Sequence, residues 1–155
     1  MTEDIKDISL SQKKKFRIDG DDSRMLELDV SDMNILVRME ERYPKMEAEA
    51  REAAVQMSKM DTENPDEDSM SSIATLLKSI DEKMREDIDF IFDSNVSEMC
   101  APKGTMYDPY NGQFRFEHII EVLTTLYANN LTAEYKKMQD RVKKHTAKYT
   151  GKRKR

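Results

Sequence analysis

The chain has 155 residues, of which 37% are hydrophobic and 37% are charged. This length predicts one domain, and the low apolar content leaves it a lean core. No apolar run of about 18 residues is present and the N-terminus, MTEDIKDISLSQKKK, has no apolar signal-peptide region, so we expect no membrane span and no secretion. A single Cys excludes an internal disulfide and fits a reducing cytoplasm.

The formal net charge of −5 conceals an uneven distribution. Residues 136–155 hold ten Lys or Arg against one acid, Asp140, whereas residues 1–135 hold sixteen against thirty. The body of the protein is therefore acidic and its C-terminal tail is basic. An acidic body repels nucleic acid, while a basic tail attracts either nucleic acid or an acidic protein surface.

The first 30 residues predict a flexible start followed by a β-hairpin. Residues 1–14 are polar, and we expect them to be flexible. Within residues 15–30, apolar side chains alternate in two short runs, 16–18 and 25–30, which flank the Gly-containing segment 19–23. This pattern is typical of two strands joined by a turn of several residues.

Residues 31–60 predict a long helix. Ser31 is a good N-cap, and the apolar residues recur at alternating steps of three and four, which is the spacing of an a/d heptad seam. Pro44 interrupts the seam, so we expect the first helix to run to about Tyr43 and the chain to kink or restart there. The seam consists of Leu36, Met39, Tyr43, Met46, Ala50, Ala53, Met57 and Met60.

A second helix is predicted over residues 71–93, after an acidic loop at 61–69. Its apolar face repeats at steps of three and four from Ile73 to Ile91. A short loop places it antiparallel to the first helix, so its apolar face is expected to cover much of the seam.

The rest of the chain predicts a helical turn and a long helical region. Residues 95–101 fit one or two helical turns, and residues 102–112 are rich in turn dipeptides. A helical region follows over 113–150, where Asn129-Asn130 is expected to break or bend it and Gly151 to end it, leaving a basic tail at 151–155. Its first apolar face is Phe116, Ile119, Ile120, Leu123 and Tyr127, and helical spacing resumes on a more polar rod at Leu131, Tyr135, Met138, Val142 and His145.

These elements predict a small, mainly helical α+β fold. It combines an N-terminal β-hairpin, an antiparallel helical hairpin and a long C-terminal helical region within a single domain at 15–150.

No residue pattern in the chain predicts catalysis, a cofactor or a metal site. Residues 19–23 carry oxygens at alternate positions, as calcium loops do, but Arg24 and Val30 occupy the positions that need Gly and Glu. Cys100 and His118 lie 18 residues apart without an orienting motif, so we do not expect a thiol–imidazole catalytic pair. We therefore expect a protein that is not an enzyme.

The basic tail has two interpretations. Its cations could neutralise phosphates or an acidic partner, or they could form a solvated helix end where positive charge favours the helix dipole. We favour the second interpretation, because no aromatic platform accompanies the basic residues. The candidates for contact are Arg141, Lys143, Lys144, Lys152, Arg153, Lys154 and Arg155.

Two segments, FRIDGDDSRMLELDVSDMNILVRMEERYP and FDSNVSEMCAPKGTMYDPYNGQFRFEHII, together with the Tyr-Thr-Gly-Lys near the end, resemble small tail-module proteins of phages and prophages of Gram-positive bacteria. Some members of that group look like tail assembly chaperones, encoded between the tail tube and tape measure genes. The resemblance covers most of residues 15–150 and rests on general pattern.

The resemblance implies a non-enzymatic helical protein in the cytoplasm of the infected bacterial host. It would bind the tape measure protein, keep the apolar helices of that protein soluble, and help to recruit tail tube subunits. Two alternatives stay open: a structural tail completion or connector component of the phage particle, and a small nucleic-acid-binding regulator that uses the basic tail. Self-association is also left open.

The Met content guides the prediction of a binding surface. Met is flexible and polarizable, which suits surfaces that pack against varied apolar helices. We place the surface on residues 44–60, beside the acidic loop. The individual candidates for partner contact, for each of which a core position is the stronger expectation, are Met39, Tyr43, Met46, Met57, Met60, Phe116 and Tyr127.

Overall fold

The computed structural model describes residues 3–10, 12–59 and 67–153. Within these ranges the chain forms four strands and four helices. Their order is β1 (Lys13–Ile18), β2 (Asp21–Asp29), α1 (Ile35–Ser58), α2 (Glu67–Phe92), α3 (Val96–Cys100), β3 (Pro109–Tyr110), β4 (Gln113–Phe114) and α4 (Arg115–Arg153).

The predicted β-hairpin is present, with a tighter turn than expected. Asp19 and Gly20 alone form the loop, with φ angles of 51° and 69°. Two positive φ angles in a two-residue loop are typical of a type I′ turn, whose twist matches that of the paired strands. The five-residue turn is therefore wrong, and β2 begins at Asp21. The register shifts between Ile18 and Arg17, however, so that Ile18 pairs with Asp21 and Arg17 pairs with Met25, where the second strand was predicted to start.

One face of this hairpin packs into the core. Phe16 pairs with Leu26 across the two strands, and Leu26, Leu28 and Val30 are buried. Phe16 and Ile18 pack against the same core at its edge. A two-stranded sheet is only marginally stable by itself, so this packing on the helices is what holds the hairpin in place.

Helix α1 begins at Ile35, and Ser31 does not cap it. The Ser31 hydroxyl instead donates to Gln12 Oε1 at 2.8 Å, and Asp32 Oδ1 accepts the backbone N–H of Asn34 at 3.0 Å. Bonds between short polar side chains and nearby backbone form local turns that compete with helix initiation. The predicted N-cap is therefore wrong.

Pro44 lies inside α1, which continues from Ile35 to Ser58. The expected helix end near Tyr43 is therefore wrong. Proline removes one helical hydrogen bond without necessarily ending a helix that tertiary packing supports. A kink at Pro44 stays a prediction.

Helix α2 lies antiparallel to α1, as predicted. Lys83 Nζ lies 2.5 Å from Glu49, and Arg42 Nη1 donates to Asp87 Oδ1 at 2.9 Å. A later residue of α2 therefore lies beside an earlier residue of α1, which is the antiparallel arrangement. Helix α2 begins at Glu67 rather than at residue 71, and the remainder of the predicted acidic loop, 61–66, lies outside the described residues.

The heptad seam of α1 is covered only at its centre. Met46, Ala50 and Ala53 are buried, whereas Leu36 and Met57 expose 58% and 50% of their surfaces. Helix α2 therefore covers the middle of the seam and leaves its described ends open. The buried apolar residues of α2 are Ile80, Met84, Ile88, Ile91 and Phe92.

Arg85 of α2 ties the short helix α3 and the loop after it to the body. Its Nε pairs with Asp81 at 2.9 Å, and its two terminal nitrogens donate to the carbonyls of Ser97, Ala101 and Gly104 at 3.2, 2.9 and 3.0 Å. The last carbonyls of a helix have no hydrogen-bond partner within the helix. Here the Arg85 side chain alone supplies donors to carbonyls of α3 and of the loop that follows it.

A small second hairpin leads directly into α4. Its turn, Asn111 and Gly112, again has two positive φ angles, 49° and 79°. Helix α4 then runs unbroken for 39 residues. A break at Asn129-Asn130 and the predicted end at Gly151 are both wrong, because the helix passes through all three residues to Arg153. A bend at Asn129-Asn130 stays a prediction.

The predicted fold class, a small and mainly helical α+β protein, is confirmed. One core joins the β-hairpin, the helical hairpin and the first half of α4. None of the described helices has the length and apolar content to cross a membrane.

We expect the substitution Arg85→Ala to lower the free energy of unfolding by about 2–4 kcal/mol, because it leaves Asp81 without its ion-pair partner and removes charged donors from three carbonyls. Urea denaturation measures the effect. Arg51→Ala is the matched control: Arg51 pairs with Glu47 at 3.8 Å on an exposed helix face, so its loss should cost less than about 0.5 kcal/mol. Equal losses for the two variants would contradict this role for Arg85.

Candidate functional site

Helix α4 carries one apolar stripe that extends beyond the body of the protein. Successive members are three or four residues apart, which places them on the same helix face. The stripe consists of Phe116, Ile120, Leu123, Tyr127, Leu131, Tyr135, Met138 and Val142.

Burial changes abruptly along this stripe. Tyr127 exposes 4% of its surface, whereas Tyr135, Met138 and Val142 expose 53%, 56% and 63%. Every residue from 135 to 147 is exposed. We call Leu131, Tyr135, Met138 and Val142 the free seam, because the body covers the stripe before it, leaves Leu131 half-buried and leaves the other three residues exposed to solvent.

The free seam has the geometry of a helix-pairing surface. Its steps are four, three and four, which is the a/d repeat of a coiled coil, and it is a narrow stripe on an otherwise polar helix. An exposed apolar stripe with a polar surround is typical of an interaction site. Helix-in-groove recognition uses this kind of spacing.

The charge around the free seam is positive. Over residues 131–147 the helix carries five Lys or Arg against two acids. Arg141 lies one residue before Val142 and so flanks the seam, at the position from which coiled coils form ion pairs with a partner. Two copies of this helix would place like charges together, whereas an acidic helix would complement it.

A cavity of about 230 Å³ lies where the covered stripe meets the free seam. Its walls include Leu131, Tyr135 and Met138 of α4, and Gln12 and Met33 from the N-terminal part of the chain. The cavity gives a partner side chain a place to enter at the root of the free seam.

Asn130 holds this junction together. Its Nδ2 donates to the carbonyl of Val30 and to the Ser31 hydroxyl, both at 3.3 Å, and its Oδ1 accepts from Lys14 Nζ at 3.5 Å. The start of the free seam is therefore fixed relative to the β-hairpin.

Of the seven residues predicted to contact a partner, three lie in the core and two more pack against it. Met46 and Phe116 are fully buried and Tyr127 nearly so, which confirms the expectation of a core position for these three. Met39 and Tyr43 are partly buried against the core.

The predicted binding surface at residues 44–60 therefore loses one of its candidate residues, because Met46 is fully buried in the core. Of the remaining candidates on that segment, Met57 is half exposed and Met60 lies outside the described residues. The free seam was visible in the sequence as helical spacing, but its exposure depends on where the body ends along α4.

The basic candidates lie beside the free seam on the same helix. Arg141, Lys143 and Lys144 are exposed. Lys152 and Arg153 belong to the last residues of α4, and Lys154 and Arg155 lie outside the described residues.

Cys100 and His118 line a second cavity, of about 380 Å³. Burial raises the pKa of the Cys100 thiol to about 11, so the thiol is protonated at neutral pH and is a poor nucleophile. The His118 ring stacks on Tyr110 at 4.4 Å, and its Nδ1 lies 3.2 Å from Gln113 Nε2. The His118 imidazole is therefore held in place by ring stacking and by contact with an uncharged side-chain amide.

The acidic side chains near the turn of the first hairpin make their contacts within that hairpin. Asp21 Oδ1 accepts hydrogen bonds from the Ser23 amide and hydroxyl, and Asp22 pairs with Arg17. In the part of the chain that the structure describes, no group of three or more His, Cys, Asp or Glu is placed to hold a metal ion.

Comparison with protein-family models, with curated proteins and with solved structures finds no match to this chain.

The thiol of Cys100 should react slowly. Because burial raises its pKa from 9.0 to about 11, its thiolate fraction at pH 8 falls by roughly 100-fold. We expect iodoacetamide to modify native Cys100 at least that much more slowly than the same residue in urea-unfolded protein, as followed by intact-mass spectrometry. Equal rates in the two states would show that the thiol is accessible and that its pKa is not raised.

Proposed function

We propose that the protein is a non-enzymatic binding protein that holds a helix of another protein against the free seam of α4. The observation that carries this proposal is the continuous apolar stripe of α4, which is buried up to Tyr127 and exposed from Tyr135 onward. Packing of such a stripe against a second helix removes its apolar surface from water, and this is the main favourable term in helix association.

The partner that best fits this surface is an acidic amphipathic helix. The free seam supplies apolar contacts, and Arg141, Lys143 and Lys144 supply exposed positive charge near it. Complementary charges raise the association rate and fix the register of the two helices. The acidic body disfavours binding of other acidic surfaces elsewhere on the molecule.

We further propose that the protein acts as a phage tail assembly chaperone in the cytoplasm of an infected bacterium. The support for this step is the sequence resemblance to phage tail-module proteins. On this proposal the partner is a helical region of the tape measure protein, and the complex also recruits tail tube subunits. A long helix with an open apolar stripe is suited to covering apolar helices of a client.

Co-expression tests the proposal. We expect full-length protein to co-purify with tape measure fragments of the same phage or prophage, and Met138→Glu with Val142→Glu to lower the recovered fragment at least tenfold. The reason is that both substitutions place acid on the apolar contact line. Quantitative mass spectrometry of the purified complexes provides the measurement.

A matched control uses the opposite side of the same helix. Ala133→Glu with Ala147→Glu adds the same two charges at exposed positions that point away from the free seam. We expect this variant to keep fragment recovery within about threefold. Equal losses in the two variants, at unchanged helix content, would overturn the assignment of the free seam.

A second candidate function is nucleic-acid binding through the exposed cations of α4, and the same variants distinguish it. Binding to phosphates depends on net charge, so both double variants should weaken a low-salt DNA shift to a similar extent. A helix-binding surface instead responds selectively to the seam variant. A structural role in the particle predicts that mass spectrometry finds the protein in purified virions, whereas a chaperone should be missing from them.

A further inference from the structure

The N-terminal residues 3–10 form an arm that carries three large aliphatic side chains and that the body leaves uncovered. Ile5, Ile8 and Leu10 expose 85%, 80% and 86% of their surfaces. Three large aliphatic side chains within six residues are costly to keep in water, so this segment favours a surface to pack on.

The arm is attached next to the free seam. Gln12 lines the same cavity as Leu131, Tyr135 and Met138, and its Oε1 accepts the Ser31 hydroxyl at 2.8 Å. The chain therefore leaves the body at the root of the uncovered stripe.

The arm is long enough to follow the free seam. Eight extended residues span about 26 Å, whereas Leu131 and Val142 are about 16 Å apart along the helix axis. In an extended chain Ile8 and Leu10 point to the same side, so a docked arm can place both side chains on the free seam.

The charges of the two segments are complementary. The arm carries Glu3, Asp4 and Asp7 against one Lys6, while residues 131–147 carry an excess of Lys and Arg. The arm thus has the chemistry that the free seam requires of a partner: aliphatic side chains and negative charge.

We infer that the N-terminal arm is an internal competitor, which folds back on the free seam when no partner is bound and is displaced when a partner helix binds. This inference rests on the proposed function of the free seam. In the described arrangement Ile8, Leu10 and Met138 are all exposed, so it shows the undocked form of the two-state equilibrium that we infer.

Docking within one chain is favoured over exchange between two copies. A short tether gives the arm an effective concentration of the order of millimolar at the free seam, which exceeds ordinary protein concentrations. A dissociation constant near 10⁻⁴ M for the docked arm would then reduce the apparent affinity for a partner by about tenfold.

Methyl NMR of the full chain tests arm docking directly. The protein is labelled with ¹³C-methyl Met and carries a spin label at Lys6→Cys in a Cys100→Ala background. We expect the Met138 methyl signal to lose intensity and the Met57 signal to keep it. The arm is attached beside Ser31, close to the start of α1 at Ile35, and Met57 lies about 33 Å further along that helix. The variant Ile8→Ser with Leu10→Ser should restore the Met138 signal.

An unaffected Met138 signal would overturn the inference. Loss of the Met138 signal in a mixture of spin-labelled unenriched protein and ¹³C-labelled protein without a spin label would also overturn it, because the arm would then dock on a second copy.

Peptide binding separates this inference from the proposed function. With a synthetic acidic amphipathic peptide as probe, we expect Ile8→Ser with Leu10→Ser to bind about tenfold more tightly than the native chain. Equal binding by both forms would overturn the competitor role while supporting the free seam. Loss of the Met138 signal without peptide binding to either form would instead support arm docking and contradict the proposed partner chemistry.

Discussion

The length of α4 is the constraint on which the functional account depends. A helix of 39 residues is about 58 Å long, and the body covers its apolar stripe only as far as Tyr127. The stripe itself does not end there, because the spacing of three and four continues to Val142. The mismatch between the length of the stripe and the size of the body creates the free seam.

The body is complete without the free seam. Leu26, Met84 and Phe116 are fully buried in one core, and arginine side chains donate to carbonyls near the helix ends. Arg38 donates to Ile91 at 2.8 Å, and Arg85 donates to one carbonyl within α3 and to two after it. Charge-assisted bonds of this kind are stronger than neutral ones. The body can therefore hold the first half of α4 firmly while the second half stays available to a partner.

The sequence predicts the fold better than it predicts the site. Apolar spacing correctly indicates both long helices of the hairpin and the long C-terminal helix, because periodic burial is a local property of sequence. The cap at Ser31 was mispredicted because its hydroxyl bonds to Gln12, a partner 19 residues away in the chain. The exposure of Met57 and the burial of Met46, which share one seam, depend on where α2 lies, and spacing alone does not contain that information.

Hydrogen exchange along α4 tests the existence of an uncovered seam most directly. An unsupported helical segment is only marginally stable in water, whereas a segment packed on a core exchanges through larger openings. In the variant Ile8→Ser with Leu10→Ser, whose arm is not expected to dock, we predict that amides of residues 135–147 exchange at least about 100-fold faster than those of residues 116–127, as measured by mass spectrometry. Equal protection of the two halves would contradict the account, because it would mean that the second half of α4 is already packed.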